Sequence, residues 1–361
     1  MVQLKSKAEY VTLDPNFKPL PKNGHLSTVD PEFAKVKDAT DAAVAPMWEP
    51  GLDMDAFKAA WMAPPPAPQG CPVEGVDVVT ELRTIPVRDG TQIGVKIYQS
   101  KRPTTDRATL AVRFHGGGWA VGGHSTEEPE SLLMAGLGNV VVVSVDYRMA
   151  PEFKFPYAIE DSWDAARWAK KNAVSLGADP ENIIFIGGSA GGGIAAVIAQ
   201  KARDAGMTGV RGQILNFPVT CHPKFFPADK YEYGSYQQNH DASVVCARRM
   251  EFFLDLYLPD PQPHQDHSPL LAKTLKGLPP ALVQVAGLDP LRDEGIAYAE
   301  RLQAEGVPTE LQTYQGMPHC FYMFAAHSKT SDYYARVLDF VKRVGSNKVD
   351  GAGARSGQAR L

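Results

Sequence analysis

The chain has 361 residues, with 37 Lys and Arg against 41 Asp and Glu, a formal net charge of −4. Apolar residues make up 44% and charged residues 22%, which argues against a disordered chain, a collagen-like repeat or a coiled coil. The slight acidic surplus gives no basic footprint for nucleic acid, and the length allows a core that needs no metal or partner, in one large domain or two smaller ones.

Residues 1–70 are rich in proline and hold no strand-like run. Spacing predicts two short helices there, around Pro31–Val44 and Asp53–Trp61, ended by Pro64-Pro65-Pro66-Ala67-Pro68. From Gly75 the texture changes. Val76–Thr84 and Gln92–Tyr98 alternate like paired strands around an Asp89-Gly90 turn. Short apolar runs then follow at Leu110–Phe114, Val140–Val145, Ile183–Ile186, Gln213–Phe217, Ala281–Ala286 and Glu310–Tyr314. Helical stretches such as Ala158–Asn172, Gly192–Ala205 and Glu294–Glu305 lie between them. Continuously apolar strands separated by helices predict a mostly parallel sheet of about eight strands, covered on both faces. Residues 218–270 break the alternation with aromatic and proline residues. They read as irregular material above the sheet, over the site, because ligands of open α/β sheets bind outside the carboxyl ends of the strands.

Cys71, Cys221, Cys246 and Cys320 stand far apart, with no CxxC pair and no histidine at zinc spacing, so neither a disulfide framework nor a structural metal is expected. Met1–Lys7 lacks the apolar run of a signal peptide. The longest apolar stretch, Leu132 to Val145, falls short of the roughly 20 residues of a membrane helix. A cytoplasmic location is expected. The Gly-, Ser- and Ala-rich tail from Gly345 to Gln358 reads as disordered, and it ends in Ala359-Arg360-Leu361, a variant of the Ser-Lys-Leu peroxisomal address. Nothing in the sequence fixes an oligomeric state.

Two glycine-rich turns carry the candidate chemistry. Gly187-Gly188-Ser189-Ala190-Gly191 follows one predicted strand and opens a helix. A serine on such a strand–turn–helix needs small neighbours, and its hydroxyl sits at the helix N-terminus, where developing negative charge is favoured. His115-Gly116-Gly117-Gly118-Trp119 ends another strand and exposes backbone N–H groups with no Cβ in the way, as an oxyanion hole requires. A phosphate loop is excluded, since neither GxxxxGK[ST] nor GxGxxG occurs here. A serine nucleophile needs a base and the base an orienting carboxylate. Asp289 and His319 follow the predicted strands Ala281–Ala286 and Glu310–Tyr314, at the same carboxyl edge as Ser189. Asp293 and Asp266 are the other candidate acids, and His327, His267 and His124 the other candidate bases.

These stretches, with Asp146-Tyr147-Arg148-Met149-Ala150-Pro151-Glu152 and Pro318-His319-Cys320-Phe321, resemble the hormone-sensitive-lipase family of α/β-hydrolases over about residues 77 to 343. The resemblance implies a serine carboxylesterase for small to medium esters that works through an acyl-enzyme, without cofactor or metal. In it Ser189 is the nucleophile, His319 the proton shuttle, Asp289 its orienting carboxylate, and Gly117, Gly118 and Ala190 the oxyanion donors. It also implies one catalytic domain over 71–344, capped by residues 1–70 and the insertion at 218–270. The chain departs from the family at Gly188, where relatives commonly carry Asp or Thr, and at Cys320, where Gly is usual. The alternatives are an acyltransferase, lactonase or thioesterase using the same triad, or a silent ligand receptor, which the presence of His319 disfavours.

Overall fold

The computed structural model describes residues 3–48 and 53–346. An eight-stranded sheet forms its centre, built from β1 (Val78–Pro86), β2 (Gln92–Ser100), β3 (Ala108–Phe114), β4 (Val140–Asp146), β5 (Ala178–Gly188), β6 (Val210–Asn216), β7 (Ala281–Leu288) and β8 (Thr309–Pro318). The strand order is β1-β2-β4-β3-β5-β6-β7-β8. Only β2 runs antiparallel, to both β1 and β4, and every other pairing is parallel. Every residue of β3 is buried, as expected for a strand covered on both faces.

The helices are α1 (Pro31–Ala34), α2 (Lys37–Val44), α3 (Met54–Ala60), α4 (Glu128–Gly136), α5 (Tyr157–Asn172), α6 (Ala190–Asp204), α7 (Ser235–Gln238), α8 (Ala247–Tyr257), α9 (Arg292–Ala304) and α10 (Ser328–Gly345). From β3 the chain crosses to β4 on one side and then returns to β5 on the other. This reversal opens a crevice at the carboxyl ends of β3 and β5, where α/β sheets bind ligands.

Two readings of the sequence need correction. The 218–270 segment is not irregular throughout, since it contains α8, whose Met250, Phe253, Leu254 and Tyr257 are buried at helical spacing. The closely set aromatics obscured that period. Gly345 belongs to α10 rather than to a disordered tail. The Ala359-Arg360-Leu361 signal lies outside the described residues. No helix among them is long and apolar enough to cross a membrane.

The N-terminal segment is bound into the fold by backbone approach. The Asp30 N–H donates to the Gly316 carbonyl, 3.1 Å. A Cβ added at Gly287, on β7, would lie 2.0 Å from the Leu26 carbonyl oxygen. Farther up, the Glu9 and Tyr10 N–H groups donate to the Glu251 carboxylate on α8, at 2.7–2.9 Å. Gly287→Ala is therefore expected to destabilise the protein by about 1–3 kcal/mol through overpacking against rigid backbone. Urea unfolding should show a lower midpoint at unchanged slope. An unchanged midpoint would mean that residues 24–30 do not pack on the sheet.

Candidate active site

Ser189 sits between β5 and α6 with φ 55° and ψ −121°, a backbone conformation that costs a non-glycine residue about 1–3 kcal/mol. The small neighbours make this turn possible. A Cβ at Gly187 would lie 2.2 Å from the Gly191 carbonyl oxygen, and one at Gly191 would lie 2.0 Å from that of Phe114 on β3. The glycines therefore let α6 start directly against the two central strands. Glycine weakens a helix by about 1 kcal/mol relative to alanine, so close approach, rather than propensity, accounts for Gly191 here.

The structure brings Ser189, His319 and Asp289 into one hydrogen-bonded series. His319 Nε2 lies 2.9 Å from Ser189 Oγ, and its Nδ1 lies 2.5 Å from Asp289 Oδ2. With Nδ1–H donating to the carboxylate, Nε2 is left to accept the serine proton. Asp289 is fixed by the Leu291 N–H, which donates to Oδ1 at 2.9 Å, and by Asn239 of the 218–270 segment, whose amide donates to the Asp289 carbonyl at 3.0 Å. Phe217 meets the imidazole edge-on, with centroids 5.7 Å apart. Burial pushes the His319 imidazolium down, but the Asp289 charge and hydrogen bond override it and hold the group well above its ordinary 6.5.

The glycine run curls over Ser189. Gly117 and Gly118 have φ of 116° and 57°, and a Cβ at Gly118 would enter the Phe253 ring at 2.2 Å. The N–H groups of Gly117, Gly118 and Ala190 have no acceptor among the described residues, whereas Gly116 N–H donates to Glu127 Oε1 at 3.2 Å. Ser189, His319 and this run open into a cavity of about 420 Å³. Its walls include Val44, Met47 and Trp61 from the N-terminal segment, and Val244, Met250 and Phe253 from the 218–270 segment. Among the described residues, no Asp, Glu, Lys or Arg side chain lines it.

The other candidate residues have different occupations. Asp293 accepts from the Gly234 and Ser235 N–H groups and from the Asn23 amide, tying three segments together. Asp266 pairs with Lys201. His327 accepts from the Lys329 N–H at the start of α10, His267 contacts Ser268 Oγ and the Gln262 carbonyl, and His124 contacts Ser144 Oγ. Cys320 takes a left-handed backbone, φ 54° and ψ 33°, a conformation that explains why glycine suits this position.

Sequence reasoning missed a buried ionic group beneath the two turns. Arg113 on β3 faces both Glu127 and Glu130, with nitrogen–oxygen distances of 3.2 and 2.6 Å. In the sequence nothing about Glu127-Glu128-Pro129-Glu130 marks two of its carboxylates as buried. The only available signal was Arg113 itself, a charge inside an otherwise apolar strand.

A family model described as alpha/beta hydrolase fold matches residues 111–323. Over 250 residues the chain is 40% identical to Carboxylesterase NlhH of Mycobacterium tuberculosis, covering 68% of this chain and 76% of that protein. Among solved structures it is similar to a Pyrobaculum calidifontis esterase, with TM-score 0.73 and 31% identity over 87% of this chain and 98% of that one. It is also similar to Vibralactone Cyclase, with TM-score 0.76 and 28% identity over 89% and 96% of the two chains.

The electrostatics of the histidine can be checked directly. Ring NMR is expected to place the His319 titration above 6.5. Asp289→Asn removes the charge while keeping the shape, leaves burial opposed only by Cys320, and should lower the midpoint from its wild-type value. An unchanged midpoint would show that Asp289 does not control the imidazole.

Proposed function

Because the chain belongs to the hormone-sensitive-lipase-like family of α/β-hydrolases and is a carboxylic ester hydrolase, we propose that it works through an acyl-enzyme on Ser189, with His319 as proton shuttle and Asp289 as its orienting carboxylate. The observation that carries this reading is the unbroken series from Ser189 Oγ through the imidazole to the Asp289 carboxylate.

In this mechanism the Ser189 oxygen attacks the ester carbonyl as His319 Nε2 takes its proton. The resulting imidazolium is stabilised by the Asp289 charge. The carbonyl oxygen becomes an oxyanion and receives the unengaged N–H groups of Gly117, Gly118 and Ala190, at the positive end of α6. Collapse expels the alcohol, which takes the proton from His319. Water then repeats the sequence from the same side: His319 accepts its proton, and the acid leaves as Ser189 is restored.

The division of labour follows from the same reading. Residues 71–344 carry the chemistry, and residues 1–70 with 218–270 cap it. A cavity of about 420 Å³ without charged carboxylate, ammonium or guanidinium walls suits an uncharged ester of small to medium size. A second reading, intramolecular or acceptor-directed acyl transfer, is favoured by the similarity to a protein titled a cyclase. The two readings differ in which nucleophile resolves the acyl-enzyme.

Purified protein is expected to cleave p-nitrophenyl butyrate faster than the palmitate ester. Ser189→Ala should lower kcat by about 10⁴-fold or more without changing the circular dichroism spectrum. Retained turnover in Ser189→Ala would overturn the nucleophile assignment. Adding a primary alcohol at millimolar concentration should leave the free acid as the main product. Predominant formation of the new ester would favour acyl transfer instead.

A further inference from the structure

Beneath the glycine loop lies a carboxylate that the mechanism above does not use. Glu127 is 4% exposed and stands just before α4. Its Oε1 accepts the Gly116 N–H, and Gly116 adjoins the two residues whose N–H groups face the reacting carbonyl in the reading above. The same oxygen fills the space beside the serine turn. A Cβ added at Gly188 would lie 2.5 Å from Oε1 and 3.4 Å from the carboxyl carbon. A Cβ at Gly116 would lie 3.0 Å from the Gly188 carbonyl oxygen, 3.1 Å from Oε1 and 3.4 Å from Ser189 Cβ. One carboxyl group is thus wedged between the two turns that carry the proposed chemistry.

From this geometry we propose that Glu127 is a positioning residue for ester hydrolysis: its carboxylate stands where a side chain at 188 would stand and holds the Gly116 loop in register with Ser189. The proposal rests on the serine-esterase reading and deepens it.

Charge balance indicates how the group behaves. One buried guanidinium, Arg113, serves two carboxylates. Glu130 is well matched, accepting from Arg113 Nη1 at 2.6 Å and from the Asn216 amide at 3.3 Å. Glu127 Oε2 has no hydrogen-bonding partner among the described residues, although Arg113 Nη2 lies 3.2 Å away. Glu127 is therefore the less fully hydrogen-bonded member of the pair. Burial pushes its carboxyl up to about 7, with Glu130 adding to the rise and Arg113 opposing it. The other charged or titratable groups around this pocket are the His115 imidazole, whose Nδ1 lies 2.7 Å from the Gly116 carbonyl oxygen and which burial pushes down to about 4, and the phenols of Tyr147, Tyr322, Tyr333 and Tyr334, which burial keeps neutral. Above about pH 7 the carboxylate makes a charge-assisted bond to Gly116. Below it the protonated acid accepts more weakly, and the loop loses its fixed position.

The test is steady-state hydrolysis of p-nitrophenyl butyrate by wild type, Glu127→Ala, Glu127→Gln and a double variant that combines Glu127→Ala with Gly188→Asp. Glu127→Ala is expected to lower kcat about 100-fold, the size of losing one oxyanion donor, with KM moved by less than about threefold. In the double variant the Gly188→Asp substitution brings a carboxylate to the vacated space from the other turn and should recover at least about tenfold of that loss. Glu127→Gln keeps an acceptor of the same shape but cannot ionise. In wild type, where His319 and Glu127 both take up protons, log kcat should fall with a slope above one over about two pH units below pH 7 before settling to about one, whereas in Glu127→Gln the slope should stay at about one throughout. If Glu127→Ala fails to fold, the Gln variant alone decides through this slope. An inert wild type would overturn both this proposal and the esterase reading. An active wild type would overturn this proposal alone if Glu127→Ala stayed within about threefold of its kcat, if the double variant were no faster than Glu127→Ala, or if Glu127→Gln kept the wild-type slope.

Discussion

The turn at Ser189 sets the terms for everything around it. A residue at φ 55° and ψ −121° persists only if its surroundings over-determine it. Here β5 enters the turn from between two buried strands, and α6 leaves it with nearly every residue of its first three turns buried. The close fit of Gly191 against the Phe114 and His115 carbonyls locks that helix to β3. The end of β3 is thereby brought beside Ser189, and with it the glycine run. Strain at one residue and the juxtaposition of the two loops are consequences of the same packing.

The sheet delivers the other groups without further strain at Asp289. Strands β7 and β8 are parallel neighbours, so residues just past their ends meet, and Asp289 and His319 do so within hydrogen-bond distance. Above this edge the N-terminal segment and the 218–270 segment are joined through aromatic contacts. Trp48 packs edge-on against Phe57, Phe252 and Phe253, with centroids 5.0–5.6 Å apart. Phe253 also lies against Gly118, so this roof touches the glycine loop beside Ser189. Polar ties reinforce it, since Asp293 binds both segments to the start of α9. The roof and the floor of the cavity are thus built from parts far apart in sequence.

The sheet was legible because its central strands are short apolar runs that become fully buried, while the first part of β2, toward the edge, alternates. Ser189 and the glycine run were legible because tight turns restrict composition so strongly that the residue types themselves describe the backbone. Two kinds of feature stayed hidden. The period of α8 was masked by aromatics that serve the roof as well as the helix. The Arg113–Glu127–Glu130 group was hidden because burial of a charge depends on partners 14 to 17 positions away and on a wall at Gly188 that no local pattern encodes. Asp293 illustrates the same limit. It lies four residues from Asp289, yet tertiary hydrogen bonds give it an unrelated structural task.

The central claim is that Ser189 Oγ becomes acylated. Rapid acid quench of the protein with a slowly deacylating aryl ester, followed by intact-mass and peptide analysis, measures this directly. The expected result is one acyl group per chain, located on the peptide containing Ser189 and absent from Ser189→Ala. Turnover without any adduct on Ser189, or an adduct on another residue that forms and decays at the rate of turnover, would contradict it.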